Sequence, residues 1–159
     1  MSGKVKNLSQ LKKIICRLKK DGRKIVFTNG CFDILHKGHI ELLEKAKSLG
    51  DILVVGLNSD GSVKRIKDKS RPINTAKDRA FVLAKINDVD YITIFAESTP
   101  FKLIKHLKPD ILVKGADWKK EKIVGRNIVE GGGGKVASVP LAKGYSTTNI
   151  IKKIIERCG

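Results

Sequence analysis

The chain has 159 residues, 41% of them hydrophobic, which is enough to bury the core of one ordinary domain. No run reaches the roughly 18 apolar residues of a membrane helix, and the polar start from Met1 to Gln10 lacks the apolar centre of a secretory signal, so we expect a soluble cytoplasmic protein. The formal charge is +17, but the basic residues are spread along the whole chain and aromatic residues make up only 5%, which argues against a nucleic-acid-binding module.

Helical and strand patterns alternate along the chain. An apolar stripe from Leu8 to Leu18 predicts a first helix, within an N-terminal segment (residues 1–22) appended to the core. Short β-branched runs predict five buried strands, at 24–28, 51–57, 91–95, 111–113 and 136–139. Further helices are predicted at 40–49, 77–86, 100–107 and 148–155, the first of these closed by Gly50 as the C′ residue.

This order of elements predicts the fold class. Repeated strand-helix-strand units imply right-handed crossovers and a parallel sheet. We therefore expect an α/β protein with a single Rossmann-like doubly wound sheet of about five strands and helices on both faces. Residues 1–159 form a single domain in this prediction, because neither a repeat nor a linker interrupts the pattern.

The segment from Asn29 to His39 follows the first strand, where ligands of a doubly wound sheet bind. Gly30 permits a close backbone approach or an unusual φ. His36 and His39 lie one turn apart at the start of a helix, whose free N–H groups and dipole favour an anion. Because Gly38 leaves room between the two imidazoles, both can converge on one phosphate group.

Simpler interpretations account less well for this histidine pair. A lone histidine at a helix start is most often a cap or a surface residue, but two of the three histidines lie within four positions here, and His106 is expected to be structural. A zinc site would need a further ligand, and no cysteine or third histidine stands nearby, while Asp33 is expected to fix the loop through backbone hydrogen bonds. The site is therefore predicted to contain no metal ligand, and the absence of GxxxxGK[ST] excludes a P-loop.

Two motifs carry a family resemblance. His36-Lys37-Gly38-His39 matches HxGH, and Tyr145-Ser146-Thr147-Thr148-Asn149 matches a Ser-Thr-Thr element at a helix start, where hydroxyls and N–H groups would form a second phosphate cradle. Together they resemble the cytidylyltransferase-like nucleotidyltransferases, a family with a Rossmann-type core. The likeness is closest to the adenylyltransferase domain of bacterial ADP-heptose synthesis and runs from about residue 24 to residue 155. It rests on the segments 28–36, 56–60, 70–74, 108–118 and 146–151.

The resemblance implies a reaction and its partners. AMP would be transferred from ATP to D-glycero-β-D-manno-heptose 1-phosphate, with release of pyrophosphate and with Mg²⁺ carried by the phosphates. In many bacteria this domain follows a sugar kinase; no kinase precedes it here, so a stand-alone form is expected, and a homodimer is implied by its relatives. Alternatives within the family are a glycerol-3-phosphate cytidylyltransferase and an FAD-forming adenylyltransferase, and the alternative from another class is a basic nucleic-acid-binding module.

The resemblance also implies roles for residues of this chain. His36 and His39 would hold the triphosphate, and Lys67 would reach the α-phosphate or the sugar phosphate from a mobile loop; these three are the predicted catalytic residues. Asp60 and Arg79 are the predicted substrate contacts, the arginine as a bidentate phosphate ligand. The predicted nucleotide-binding residues are Asn29, Gly30, Cys31, Phe32, Lys37, Gly38, Gly115, Asp117, Trp118, Ser146, Thr147 and Thr148.

One stretch departs from the family pattern. Related cytidylyltransferases carry an arginine shortly before the Ser-Thr-Thr element, where this chain has Pro140 to Gly144, with Lys143 as the basic residue of that stretch. The departure bears on the choice of nucleotide and acceptor rather than on the type of reaction.

Overall fold

The computed structural model describes residues 3–159 and contains one parallel sheet. Its strands are β1 (Ile25–Gly30), β2 (Ile52–Asn58), β3 (Tyr91–Phe95), β4 (Ile111–Gly115) and β5 (Lys135–Val139). They are ordered β3-β2-β1-β4-β5, and every pair is parallel. The winding direction reverses between β3 and β4, so the topological switch point lies between β1 and β4. The predicted doubly wound fold is confirmed.

The helices connect these strands and pack on both faces of the sheet. They are α1 (Leu8–Lys20), α2 (Lys37–Lys47), α3 (Asp60–Ile66), α4 (Ala76–Ala84), α5 (Phe101–Leu107), α6 (Arg126–Gly131) and α7 (Thr147–Cys158), with a 3₁₀ turn at Lys120–Lys122. The sequence did not predict α3 and α6, which have seven and six residues, because so few positions show no apolar period. Between residues 3 and 159, no helix combines the length and the apolar character that crossing a bilayer requires.

The core consists of two layers, one on each face of the sheet. Neighbouring residues of a strand point to opposite faces, as Val26 and Phe27 of β1 do. Val26 belongs to the cluster that includes Leu43 of α2 and Leu83 of α4, and we call this side the α2 face. Phe27 belongs to the cluster that includes Ile104 of α5, and we call that side the α5 face.

Helix α1 covers part of the α5 face of the sheet. Leu11 and Ile15 are fully buried or nearly so in the cluster on the α5 face. Just before the helix, the Lys6 N–H donates to the Ile92 carbonyl, and the Ile92 N–H donates to the Lys4 carbonyl, both at 2.9 Å. The segment before α1 therefore pairs alongside β3 and extends the sheet at that edge.

Gly50 has a different role from the predicted one. Helix α2 is capped by Ser48 in the right-handed conformation, and Gly50 is not among the residues with positive φ. A Cβ atom at Gly50 would lie 2.6 Å from Cγ2 of Val26 and 3.0 Å from the Lys24 carbonyl oxygen. The glycine thus lets the chain pass close to β1, and the prediction of a C′ residue is wrong.

Candidate active site

A cavity of about 520 Å³ opens at the carboxyl ends of the strands, next to the switch point. Twelve of the predicted site residues line it: Asn29, Gly30, Cys31, Phe32, His36, Gly38, His39, Lys67, Trp118, Ser146, Thr147 and Thr148. Five others are not among the lining residues: Lys37, Asp60, Arg79, Gly115 and Asp117. The fold therefore brings together four segments that are far apart in sequence: the β1–α2 loop with the start of α2, the end of α3, the residues after β4 and the start of α7.

The two histidines form a stacked pair at the start of α2. Their ring centroids are 3.8 Å apart and the ring planes differ by 25°. Nδ1 of His36 accepts from the Gly38 N–H at 3.1 Å, and Nδ1 of His39 accepts from the His36 N–H at 3.3 Å. A neutral imidazole whose Nδ1 accepts must bear its proton on Nε2. Each ring therefore keeps an Nε2–H donor for a ligand.

Gly38 and the loop before α2 shape this pair. A Cβ atom at Gly38 would lie 3.0 Å from the His36 ring and 3.2 Å from Cβ of Tyr145, so a side chain there would require the ring or Tyr145 to move. Phe32 and Ile34 have left-handed φ angles of 47° and 50°, a conformation that costs free energy outside glycine and often occurs at functional sites. The sequence predicts that the N–H groups at the start of α2 are free to bind an anion. The Gly38 N–H is not free, because it donates to the His36 ring.

Both histidines are neutral near pH 7. Burial, together with the charge that His36 can gain, lowers the pKa of His39 from 6.5 to about 4. Burial also lowers the pKa of His36. The imidazoles are therefore suited to donate hydrogen bonds as neutral groups rather than to act as cations in the ligand-free protein.

This shift predicts a pH dependence of stability. The pKa of His39 is lower in the folded chain than in the unfolded chain, so below pH 6.5 the unfolded chain binds an extra proton. Stability from this group is fully present above pH 6.5 and is lost as the pH falls toward 4. We expect the contribution of His39 to lower the free energy of unfolding by at most about 1.4 kcal/mol for each unit by which the pH falls in this window. Urea unfolding at several pH values measures it, and His39→Gln should flatten the slope; identical slopes in the two proteins would contradict the assignment.

Asp33 joins three parts of the site. Its buried carboxylate accepts from the Ile73 N–H at 2.7 Å, the Asn74 N–H at 3.0 Å and Nε of Arg71 at 3.1 Å. Although burial raises it, these donors hold the pKa of Asp33 below its ordinary value. The Thr147 hydroxyl donates to the Asp33 carbonyl at 2.5 Å. Asp33 thus fixes a loop through backbone hydrogen bonds, as expected, but this loop follows Lys67 and is not the β1–α2 loop in which Asp33 lies.

Arg79 and Asp60 form an internal network, in which the Arg79 side chain is buried and the Asp60 side chain stays 43% exposed. Arg79 is 2% exposed and donates to the carbonyls of Asn74, Cys31 and Asn58 at 2.6–3.0 Å. Its Nη2 pairs with the Asp60 carboxylate at 2.8 Å, and the same carboxylate oxygen accepts from the first N–H of α4. The N–H donors of the guanidinium are thus bonded to acceptors within the protein, which contradicts the predicted bidentate phosphate contact. The sequence misses this role because the partners lie up to 48 residues away.

The start of α7 closes one side of the cavity. Ser146 is the N-cap, and its Oγ accepts from the Asn149 N–H at 3.0 Å. Since Thr147 bonds to the Asp33 carbonyl, two of the three predicted hydroxyls have partners inside the protein. The cap uses the Asn149 N–H of the first helical turn, and Ser146, Thr147 and Thr148 line the same cavity as the histidine pair. Lys143, at the position where the family arginine is missing, is exposed and does not line the cavity.

Lys114 lines the cavity but is not among the predicted site residues. It lies near the end of β4, and its Nζ donates to Oδ1 of Asn29 at 2.6 Å. Nζ also lies 5.5 Å from the centre of the Trp118 ring. Burial lowers the pKa of Lys114 to about 8. The sequence contains one signal for this role: Lys114 directly follows three apolar residues of a predicted strand.

The acidic, histidine and cysteine side chains do not gather into a metal site. Within residues 3–159, no group of three or more of them is close enough together to hold an ion. A divalent cation that takes part in the reaction would therefore depend on other ligands, and phosphate oxygens are the usual ones for Mg²⁺.

Comparison with known proteins gives the site a family context. The family model described as cytidylyltransferase-like matches residues 27–153. "Bifunctional protein HldE" of Geobacter metallireducens is 53% identical over 98% of this chain, and that of Helicobacter pylori is 55% identical over 91%. The chain spans about a third of the length of these relatives, 32% and 30% respectively.

Solved structures agree with this context. The lipopolysaccharide core biosynthesis protein from Thermoplasma volcanium is 34% identical, with a TM-score of 0.63, over 79% of this chain and 100% of that one. Pantoate-beta-alanine ligase from Francisella tularensis has a TM-score of 0.62 at 20% identity, over 96% of this chain and 79% of that one. At that identity the second likeness concerns the fold alone.

Proposed function

Because this chain belongs to the cytidylyltransferase-like family and is a nucleotidyltransferase, we propose that it transfers AMP from ATP to D-glycero-β-D-manno-heptose 1-phosphate. The products are ADP-heptose and pyrophosphate. The observation that carries the proposal is the stacked pair of His36 and His39, whose Nε2–H donors share one cavity with the start of α7. The heptose assignment is supported by the sequence resemblance and by the identity to HldE proteins.

The histidine pair supplies hydrogen-bond donors to the phosphates of ATP. Both Nδ1 atoms already accept backbone N–H groups, so neither ring offers a basic nitrogen while its Nε2 is protonated. A sugar phosphate is ionised near neutral pH and needs no general base. The rings therefore stabilise the negative charge that builds up on the phosphate oxygens during the displacement.

Positioning provides the other part of the catalysis. The acceptor oxygen attacks the α-phosphorus in line, its new P–O bond forms, and the bond to pyrophosphate breaks. The first turn of α7 and the exposed Lys67 also line the cavity, and they bind the phosphates in addition to the histidine pair. Asp33 contacts both the loop after Lys67, through its carboxylate, and the start of α7, through its carbonyl. It therefore helps to fix the positions of these two segments relative to the histidine pair. Mg²⁺ would be carried by the phosphates of ATP.

The nucleotide base lies beside Trp118 in this proposal. The indole lines the cavity and is 50% exposed in the ligand-free protein, so it offers a face for stacking. Gly115 supports this side, since a Cβ atom there would lie 2.8 Å from Leu141 and 2.7 Å from Oδ1 of Asp117. The cytidylyltransferase alternative is less well supported, because the basic residue at the position of the family arginine, Lys143, lies outside the cavity.

A substrate panel tests the proposal. ATP and CTP are each combined with heptose 1-phosphate, glycerol 3-phosphate and flavin mononucleotide, and pyrophosphate release is measured. We expect kcat/KM for ATP with heptose 1-phosphate to exceed every other pair by at least ~100-fold. A preference for CTP with glycerol 3-phosphate, or for ATP with the flavin, would replace the heptose assignment. No pyrophosphate release, together with sub-micromolar and steeply salt-dependent binding of nucleic acid, would favour the nucleic-acid-binding alternative.

A further inference from the structure

The cavity has two sides that belong to opposite faces of the sheet. Asn29 lies two positions after Phe27, and Lys114 two positions after Leu112, and both apolar residues belong to the cluster on the α5 face. The 2.6 Å contact between Lys114 and Asn29 agrees with this placement. The histidine pair instead lies on α2, at the other face. A ligand in the middle of the cavity therefore meets the imidazoles from one side and the amine of Lys114 from the other.

The amine of Lys114 makes no ion pair with any carboxylate of residues 3–159. An ammonium has three N–H donors, and the hydrogen bond to Asn29 uses one of them. In the part of the chain that the structure describes, residues 3–159, no carboxylate lies within 4.0 Å of its Nζ, although Asp117 is close enough to act on its charge. A half-buried ammonium that no carboxylate contacts directly is costly, and an anionic ligand in the cavity would lower that cost.

We propose that Lys114, oriented by Asn29, binds the phosphate of the acceptor and thereby sets the requirement for an anionic acceptor. The inference rests on the proposed function and names the residue that serves its second substrate. In-line displacement needs the attacking oxygen and the leaving pyrophosphate on opposite sides of the α-phosphorus. With the triphosphate held by the histidine pair and α7, the side of Lys114 is the one from which the acceptor approaches.

The neighbours of Lys114 fit an ammonium that binds and releases a phosphate. Oδ1 of Asn29 restricts the amine to one direction without neutralising it, whereas a carboxylate there would compete with the ligand. The centre of the Trp118 ring lies 5.5 Å from Nζ, and an aromatic ring attracts a cation without neutralising its charge as a carboxylate would. Both contacts favour an amine that is charged when the acceptor is bound.

Steady-state kinetics of Lys114→Met test the proposal. We expect the KM for the acceptor to rise by at least ~30-fold, from loss of a charge-assisted hydrogen bond, and the KM for ATP to change by less than ~3-fold. Lys114→Arg should recover part of the acceptor affinity, since it keeps the charge. The matched control is Lys135→Met, an exposed lysine at the opposite end of neighbouring strand β5, for which both KM values should remain unchanged.

Three results would overturn the inference. An unchanged acceptor KM in Lys114→Met would show that the amine makes no productive contact. A rise in the KM for ATP alone would place Lys114 on the nucleotide side. If Lys114→Met does not fold, Asn29→Asp provides the second variant, because a carboxylate beside the amine should also raise the acceptor KM; no change there would contradict the proposal.

Equilibrium binding separates this inference from the proposed function. Calorimetry measures the affinity for heptose 1-phosphate in the presence of a non-reactive ATP analogue. Weaker binding to Lys114→Met than to Lys135→Met supports the role of Lys114, and equal binding overturns it. If the wild-type protein uses another acceptor of the panel, the heptose assignment fails, and the same comparison with that acceptor decides the role of Lys114.

Discussion

A His39→Ala protein is expected to turn over at least ~100-fold more slowly than the wild-type protein, a few kcal/mol in the activation barrier, while keeping its fold. The side chain is only partly buried and its ring packs on the rings of His36 and Phe32, so truncation removes ring contacts without opening the core. What is lost is one Nε2–H donor to the phosphates, together with the Nδ1 acceptor that fixes the His36 backbone. Single-turnover kinetics with saturating ATP measure the effect on the chemical step.

Two substitutions at the same position separate the two ring nitrogens of His39. Asn places a polar group near the position of Nδ1 but leaves no donor near Nε2, so His39→Asn should be as slow as His39→Ala. Gln reaches the position of Nε2 with an N–H donor, and His39→Gln should recover part of the rate. His106→Ala is the matched control, because His106 lies exposed on α5, outside the cavity. Near-normal turnover of a folded His39→Ala protein would remove the basis of the mechanism.

Arg79→Met is expected to lower the free energy of unfolding by about 3–5 kcal/mol. The substitution has a similar length but removes every donor of the guanidinium. The carbonyls of Asn74, Cys31 and Asn58 would then lose a hydrogen bond, and Asp60 would lose its ion pair. Chemical denaturation of the ligand-free protein measures the loss.

The surface substitution Arg157→Met is the control for Arg79→Met. Arg157 lies exposed in the last turn of α7, and its replacement should change the free energy of unfolding by less than about 0.5 kcal/mol. A stable Arg79→Met protein with a strongly raised KM for ATP would contradict the internal role and restore the phosphate contact implied by the family resemblance.

The features that the sequence predicts well are those with a local signal. The three central strands, β1, β2 and β4, are short β-branched runs that are buried along most of their length, and such runs can be identified from their own residues alone. The segment from His36 to His39 is informative for the same reason, because its residue types and spacing lie within four positions. The parallel order followed from the alternation of strands and helices, and both the fold and the family are confirmed.

The features that the sequence does not predict depend on contacts between distant segments. Arg79 looks like a phosphate ligand until its carbonyl partners on the β1–α2 loop and at the end of β2 are known. Lys114 looks like an ordinary surface lysine until the sheet places it 2.6 Å from Asn29, 85 residues earlier. The hydroxyls of Ser146 and Thr147 fit a phosphate cradle by motif, yet both have partners within the protein. The predicted homodimer remains a prediction.

The most direct test of the account follows the phosphorus atoms. The protein is incubated with ATP, Mg²⁺ and heptose 1-phosphate labelled with ¹⁸O on its phosphate, and the products are observed by ³¹P nuclear magnetic resonance. Attack of the acceptor oxygen on the α-phosphorus predicts one equivalent of pyrophosphate for each equivalent of ADP-heptose, with the label retained in the bridge of the new diphosphate. Formation of ADP with a second phosphate on the sugar, or release of orthophosphate without ADP-heptose, would contradict nucleotidyl transfer to this acceptor.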